Sequence, residues 1–400
     1  MDPLKNPFSP GAGNPPPELA GRDDLLKEAA IVLGRIKRGR YEQSLMLVGL
    51  RGVGKTVLLN RIKDIAEAEK YCVVMIEISE DRSLPELLIP GLRGTLIELD
   101  RMEKISAKVK LGLRVLRSFI GTFKIKFGET GVELGIDPER GKADSGNLES
   151  DLSELFVALG EAAKDRQRAV AIIIDEIQYL NEEEMGALIM AIHRVSQRQL
   201  PLALVSAGLP QLIGLAGRSK SYAERLFRFP EIGPLSPKDA AAALRDPAKK
   251  EGVVFAEDAL KEIALQTRGY PYFLQEWGYQ AWNLAKESPI NRSVILRANV
   301  EAVKKLDGSF FRVRFDRLTP REKDYLRALA ELGPGPHRSS EIADRLGIKV
   351  QSSAPLRAGL IGKGMIYSPA HGDTAFTVPL FNDFMIRVMP DWGKHPLRKA

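Results

Sequence analysis

The eight residues Gly49-Leu50-Arg51-Gly52-Val53-Gly54-Lys55-Thr56 fit the pattern G-x-x-x-x-G-K-[ST]. Their types and spacing suit one chemistry, the cradling of phosphate. The glycines let the backbone curl so that successive N–H groups point inward at phosphate oxygens. Lys55 reaches the β- and γ-phosphates, and Thr56 offers its hydroxyl to Mg²⁺. Val57 carries the chain on into a helical pattern whose positive dipole end faces the anion. Far along the chain, Ala171-Ile172-Ile173-Ile174-Asp175-Glu176 is an apolar run that ends in two carboxylates. At the carboxyl edge of a sheet, Asp175 can hold Mg²⁺ from its outer coordination sphere, and Glu176 can polarise a water that attacks the γ-phosphate. Together the two motifs predict a site that binds ATP with Mg²⁺ and hydrolyses it.

Such residues must be held by a sheet. Short apolar runs at 44–48, 72–78, 169–174, 202–206 and 228–232 alternate with helical patterns, which predicts an α/β fold, a P-loop parallel sheet flanked by helices. Residues 1–20, rich in proline, read as an extended N-terminal arm, and a helix runs from 21–24 to about Lys37. The core spans 21–235 and contains an insertion at 83–147. There a long helical pattern precedes two alternating stretches, 123–127 and 132–136, around the hairpin signal Gly128-Glu129-Thr130-Gly131. Residues 236–316 read as an all-helical lid. In the last unit, 317–400, three helices (320–332, 339–346, 350–362) and a hairpin (365–367 with 375–378) give the pattern of a winged helix-turn-helix domain.

The chain has 400 residues, of which 44% are hydrophobic and 28% charged. That length allows two or three domains of ordinary globular composition. The net charge of +7 favours a polyanionic partner. A single cysteine, Cys72, excludes an internal disulfide, and His193, His337, His371 and His395 have no cysteine partners at metal-ligand spacing. No apolar run approaches the roughly 20 residues that cross a bilayer, and the start has no secretory pattern, so the cytoplasm is the expected location.

The residues add up to a resemblance to the AAA+ and STAND branches of the P-loop ATPases, especially archaeal-type ATPases related to replication initiators. Leu19-Ala20-Gly21-Arg22-Asp23-Asp24-Leu25-Leu26 is similar to the box that opens those domains, whose backbone, here at Gly21 and Arg22, helps enclose the adenine. Leu202-Ala203-Leu204-Val205-Ser206 resembles the strand carrying a polar sensor of the γ-phosphate, which implies that role for Ser206; a capping serine is the simpler reading. The segment 222–232 resembles the stretch where relatives carry an arginine finger, with Arg225 the first candidate and Arg228 the second, against a surface ion pair with Glu224 or another acid. Gly269-Tyr270-Pro271-Tyr272-Phe273-Leu274 looks like the lid signature, so Pro271 is expected to help enclose the base. Tyr272 and Phe273 follow where initiators carry a sensing arginine. The resemblance also implies a homo-oligomer on ATP binding.

Two basic elements bear on partners. Residues 318–400 hold 12 Lys/Arg against 8 Asp/Glu. On the third helix of that unit Lys349, Gln351, Ser352 and Arg357, with Lys363 near the wing, are the expected contacts to double-stranded DNA. Between 104 and 128 there are seven cations and no acid, and Ile105, Val109, Leu113, Leu116 and Ile120 recur at helical spacing, so one face is apolar and the other cationic; a nucleic-acid backbone, an anionic membrane surface or an acidic partner would fit it, and a solvated helix face over the core is the simpler reading. Three readings stay open: a DNA-associated ATPase acting as a nucleotide-driven switch, a STAND-type signalling ATPase whose winged helix contacts protein, and a peripheral membrane regulator using the 104–126 helix.

Overall fold

The structure, a computed structural model, describes residues 1–11, 13–101, 106–125 and 137–392. The chain forms two compact units: Asp23–Val48 with Lys55–Glu231, here the sheet unit, and Met1–Arg22 with Gly49–Gly54 and Ile232–Ala400, here the helical unit. The chain therefore passes between them at both ends of the Gly49–Gly54 loop.

The sheet unit runs α1 (Asp23–Lys37), β1 (Ser44–Val48), α2 (Lys55–Ala68), β2 (Tyr71–Glu77), α3 (Leu84–Asp100), α4 (Ala107–Thr122), α5 (Leu148–Asp165), β3 (Ala169–Asp175), α6 (Glu182–Gln197), β4 (Leu202–Gly208), α7 (Gln211–Ser219), α8 (Ala223–Leu226) and β5 (Phe227–Arg228). Its strands are parallel, in the order β2-β3-β4-β1-β5. Every residue of β1, β3 and β4 is buried, which is why these strands read as continuous apolar runs: both faces are covered. Helix α2 packs on β2, β3 and β4, while α3, α5 and α6 lie on β2, β3 and β4 respectively. β5 is shorter than the run at 228–232, and beyond it pairing continues as a single bridge between Val48 and Glu231.

Helix α4 takes the simpler of the readings open to it. Val109, Leu113, Leu116, Phe119 and Ile120 are buried in the core of this unit, where α4 packs on α3 and α5. Ser106 caps the helix, accepting from the Val109 N–H at 3.1 Å and donating to Asp165 at 2.7 Å. The apolar face is thus already occupied and cannot lie on a membrane. Two of its cations are paired as well, Lys108 with Glu161 at 2.7 Å and Arg114 with Glu139 at 2.9 Å. Lys104, Ile105, Lys126 and most of the expected hairpin at 123–136 lie outside the described residues.

In the helical unit, α9 (Pro237–Lys250), α10 (Glu257–Thr267), α11 (Pro271–Leu284), α12 (Arg292–Gly308) and α13 (Phe310–Asp316) fill the span 236–316. They lead into α14 (Pro320–Glu331), β6 (His337–Arg338), α15 (Ser339–Leu346), α16 (Val350–Gly362), β7 (Ile366–Tyr367), β8 (Asp373–Phe376) and α17 (Phe381–Val388). The three short strands form an antiparallel sheet in the order β6-β8-β7. Helix α17, which the sequence reading did not anticipate, packs on α14 and sets Phe381 and Phe384 among Phe311 and Phe315.

The N-terminal arm is docked rather than free. Phe8 is 2% exposed and belongs to the core that α9, α10 and α11 build. Asn6 donates to the Tyr279 carbonyl at 3.1 Å and to Asn283 at 3.0 Å, and the Trp282 indole donates to the Asp2 carbonyl at 2.9 Å. Emptying a buried phenylalanine site costs about 3 kcal/mol or more. Phe8→Ala is therefore expected to destabilise the protein by ~3 kcal/mol in denaturant unfolding, while Leu4→Ala, at a residue 95% exposed, leaves the midpoint unchanged.

Candidate active site

In the sheet unit, the chemistry gathers at the carboxyl ends of β3 and β4 and the first turn of α2. Lys55 opens α2 and is buried. The Thr56 hydroxyl donates to Asp175 Oδ2 at 2.6 Å, and the Glu176 N–H donates to Asp175 Oδ1 at 2.8 Å. Asp175 is only 4% exposed. Burial pushes its carboxyl above the usual aspartate value, against the pull of the Thr56 and Glu176 hydrogen bonds and the Lys55 charge. Across the sheet, Glu77 stands in register with Asp175. Its carboxyl is also pushed up, first by burial and then by the negative charges of Asp175 and Glu176. Two hard oxygens already joined, Thr56 and Asp175, are donor chemistry that suits Mg²⁺.

Glu176 takes a left-handed backbone conformation, φ +53°, which is uncommon for a side-chain-bearing residue and marks strain held by its surroundings. Ser206 on β4 stands in register with Met46 of β1 and Ile174 of β3. It is 0% exposed, and its hydroxyl has no hydrogen-bond partner, unlike a serine that caps a strand end. Of the two finger candidates, Arg228 is engaged by Glu28 at 2.6 Å and Glu42 at 3.2 Å. Arg225 is exposed on α8. Its carbonyl accepts from Tyr41 at 2.9 Å and Gln43 at 3.1 Å, and the ion pair with Glu224 is not formed.

The loop Gly49–Gly54 belongs to the helical unit, and its backbone is fixed there. A Cβ on Gly49 would lie 2.3 Å from the Ile232 carbonyl oxygen, so only glycine fits. The Arg51 N–H donates to the Thr377 carbonyl at 3.1 Å, and the Gly52 carbonyl accepts from the Tyr272 N–H at 3.2 Å. The Arg22 guanidinium donates to the carbonyls of Val53 at 3.4 Å and Gly233 at 2.5 Å. Burial pushes it below the ordinary arginine value, and the nearby Asp239 offsets part of that. Arg22 therefore shapes the loop with its side chain, whereas the sequence reading had given it a backbone role; its neighbour Gly21 abuts the Asp239 carboxylate. Pro271 is the first residue of α11. Next to it, Tyr272 stacks on Phe310 with ring centres 4.6 Å apart, and the Arg314 guanidinium lies 4.0 Å from the Phe310 ring centre. Phe310, Arg314 and Thr377 were not legible in the sequence, because nothing in their spacing joins them to the loop.

The five residues expected to touch DNA divide into two groups. Lys349, Gln351 and Ser352, at the start of α16, are exposed. Arg357 instead ties α16 to the hairpin, donating to the Thr374 and Ser368 hydroxyls and the Asp373 carbonyl, each at 2.8 Å. Lys363 is paired with Glu322 at 2.7 Å.

A family model described as an AAA ATPase domain matches residues 18–205, a span that includes both the phosphate loop and the Asp175-Glu176 pair. Over that span the chain is similar to an AAA ATPase domain. A second family model, described as a domain of unknown function (DUF8462), matches residues 308–385. No curated protein matches the chain. Among solved structures it is similar to a Walker-type ATPase of Pyrococcus abyssi, at 19% identity over 91% of this chain and 97% of that one, with a TM-score of 0.52. It is also similar to the Orc1 protein of Aeropyrum pernix in complex with DNA (17%, 96% and 96%, 0.46). A third match is the RuvB Holliday junction branch migration motor of Thermotoga maritima (17%, 89% and 92%, 0.45). The likeness to the Pyrococcus ATPase is one of fold. A methyl group at Gly49 would displace the loop backbone from its seat. Gly49→Ala is expected to weaken ATP binding about tenfold or more, a loss of at least ~1.4 kcal/mol, in a fluorescent-nucleotide titration; Gly94→Ala, where a Cβ meets nothing within 4 Å, serves as the unaffected control.

Proposed function

We propose that this protein is a Mg²⁺-dependent ATPase that acts on double-stranded DNA as a nucleotide-driven switch. The observation that carries the ATPase part is the Thr56–Asp175 hydrogen bond with Glu176 beside it. Thr56 and Asp175 are the residues that would hold Mg²⁺, which when bound neutralises charge on the phosphates. The glycines at 49, 52 and 54, with Leu50, Arg51, Val53 and Val57, form the phosphate loop, and Lys55 supplies the positive charge to the terminal phosphates. Glu176 orients and polarises the attacking water, and the Ser206 hydroxyl reads the γ-phosphate or that water. Arg225, exposed and not ion-paired with Glu224, supplies charge to the site of a neighbouring copy, so assembly and hydrolysis are linked.

The DNA part is supported by the net charge of +7 and by the exposed Lys349, Gln351 and Ser352 at the head of α16. In this reading residues 317–400 are a winged helix-turn-helix domain, with α16 the helix that enters the groove and Arg357 bracing the wing. A second reading, a STAND-like regulator whose C-terminal segment contacts protein, is favoured by the hydrogen bond from Arg51 to Thr377, which commits part of that segment to the loop. Among the described residues no helix is long and apolar enough to cross a membrane, and the cytoplasm is the proposed site of action.

Glu176→Gln is expected to bind ATP as the natural protein does and to hydrolyse it at least about a hundredfold more slowly in a phosphate-release assay; equal turnover removes Glu176 from the reaction. Duplex DNA is expected to be retained at low salt and lost steeply as salt rises, with a log–log slope near −0.9 for each phosphate contacted. Lys349→Glu should weaken retention about tenfold. DNA failing to bind at low salt in both the ATP and ADP states would favour the protein-contacting reading.

A further inference from the structure

Immediately after Glu176 the chain makes a 3-10 turn, Ile177–Tyr179, and its middle residue is not used by the mechanism above. Gln178 is 9% exposed. Its side-chain nitrogen donates to Glu176 Oε2, and its side-chain oxygen accepts from the Leu209 N–H at 3.0 Å. The two bonds fix which end of the carboxamide is which: an N–H must meet the oxygen, so the NH₂ group faces the carboxylate. Leu209 directly follows β4, the strand that carries Ser206. Gly208 makes the room, since a Cβ there would lie 2.7 Å from Gln178 Oε1. The carboxylates around Glu176, Asp175 beside it and Glu77 on β2, cannot donate in their charged state.

We propose that Gln178 is a positioning residue for ATP hydrolysis, holding the Glu176 carboxylate in its left-handed turn and fastening it to the exit of β4. The inference rests on Glu176 being the group that orients water. Phosphoryl transfer needs its water held in line more than it needs a strong base, and a carboxylate on a strained turn keeps its aim only if a neighbour holds it. Because the same carboxamide also grips Leu209, a shift at the end of β4, where Ser206 reads the phosphate, is transmitted to Glu176 through one side chain.

The decisive variant is Gln178→Glu. A carboxylate at 178 still accepts from the Leu209 N–H, so the turn keeps its anchor, but it cannot donate to Glu176 and repels it. Turnover is expected to fall at least about tenfold with ATP affinity unchanged, so the loss shows in kcat and not in nucleotide binding. Gln178→Ala should lower turnover to a similar extent with ATP affinity unchanged, while thermal unfolding reports whether the fold survives. Glu176→Gln, run alongside, separates the two claims. If Glu176→Gln turns over normally, the role of Glu176 fails. If Glu176→Gln is inactive while Gln178→Glu keeps natural turnover, the positioning role of Gln178 is overturned.

Discussion

A carboxylate 4% exposed must be satisfied largely by the groups packed around it, because burial strips most of its hydration. Asp175 imposes that condition on the sheet unit. Its partners are the hydroxyl of Thr56 and the backbone N–H of Glu176, so the first turn of α2 and the end of β3 must meet although 119 residues separate them. The order β2-β3-β4-β1-β5 makes this geometry available, with β4 between the strand that leads into α2 and the strand that ends in Asp175. The position of Ser206 follows from the same arrangement: it lies on the strand flanked by both, level with Met46 and Ile174. The sheet thus fixes the spacing of Lys55, Thr56, Asp175, Glu176 and Ser206 before any ligand arrives.

Much of this was legible in the sequence, for a physical reason. A strand covered on both faces has no polar side to show, so Ser44–Val48, Ala169–Asp175 and Leu202–Gly208 stand out as unbroken apolar runs, and a phosphate loop needs glycines and a lysine at fixed offsets. What escaped was everything decided by a distant partner. Gln178 carries no motif, and its importance comes from a backbone N–H 31 residues away. The arm reads only as extended, because proline-rich chain has little helical or strand pattern, yet Phe8 buries itself among helices from the other end of the sequence. In α17 the helical spacing of Phe381, Phe384, Met385 and Val388 spans only eight residues, too short a stretch to stand out from the hairpin before it; its burial against α14 makes it a helix.

Charge was the least transferable signal. A cation in a sequence announces a partner but not which one. Lys108 and Arg114 on α4 are paired with acids of their own unit, Arg228 with two, and Lys363 with Glu322. Such exposed or half-exposed pairs contribute about 0–1 kcal/mol each, so they add little to stability while they occupy the groups that a sequence reading would assign to nucleic acid. Arg357 is the clearest case: three hydrogen bonds make it a brace inside its own domain.

The contact between Arg51 and Thr377 runs from one backbone amide to one backbone carbonyl, and the Thr377 hydroxyl is turned the other way, donating to the carbonyls of Gly364 and Met365. A link of that kind leaves no imprint on the choice of amino acids. For this link alone position 51 needs only its N–H, and proline is the one substitution that removes the donor. Divergent descendants of this chain can therefore keep the loop bound to the residue that follows β8 with no two residues in common at either end, a kinship that only coordinates would reveal.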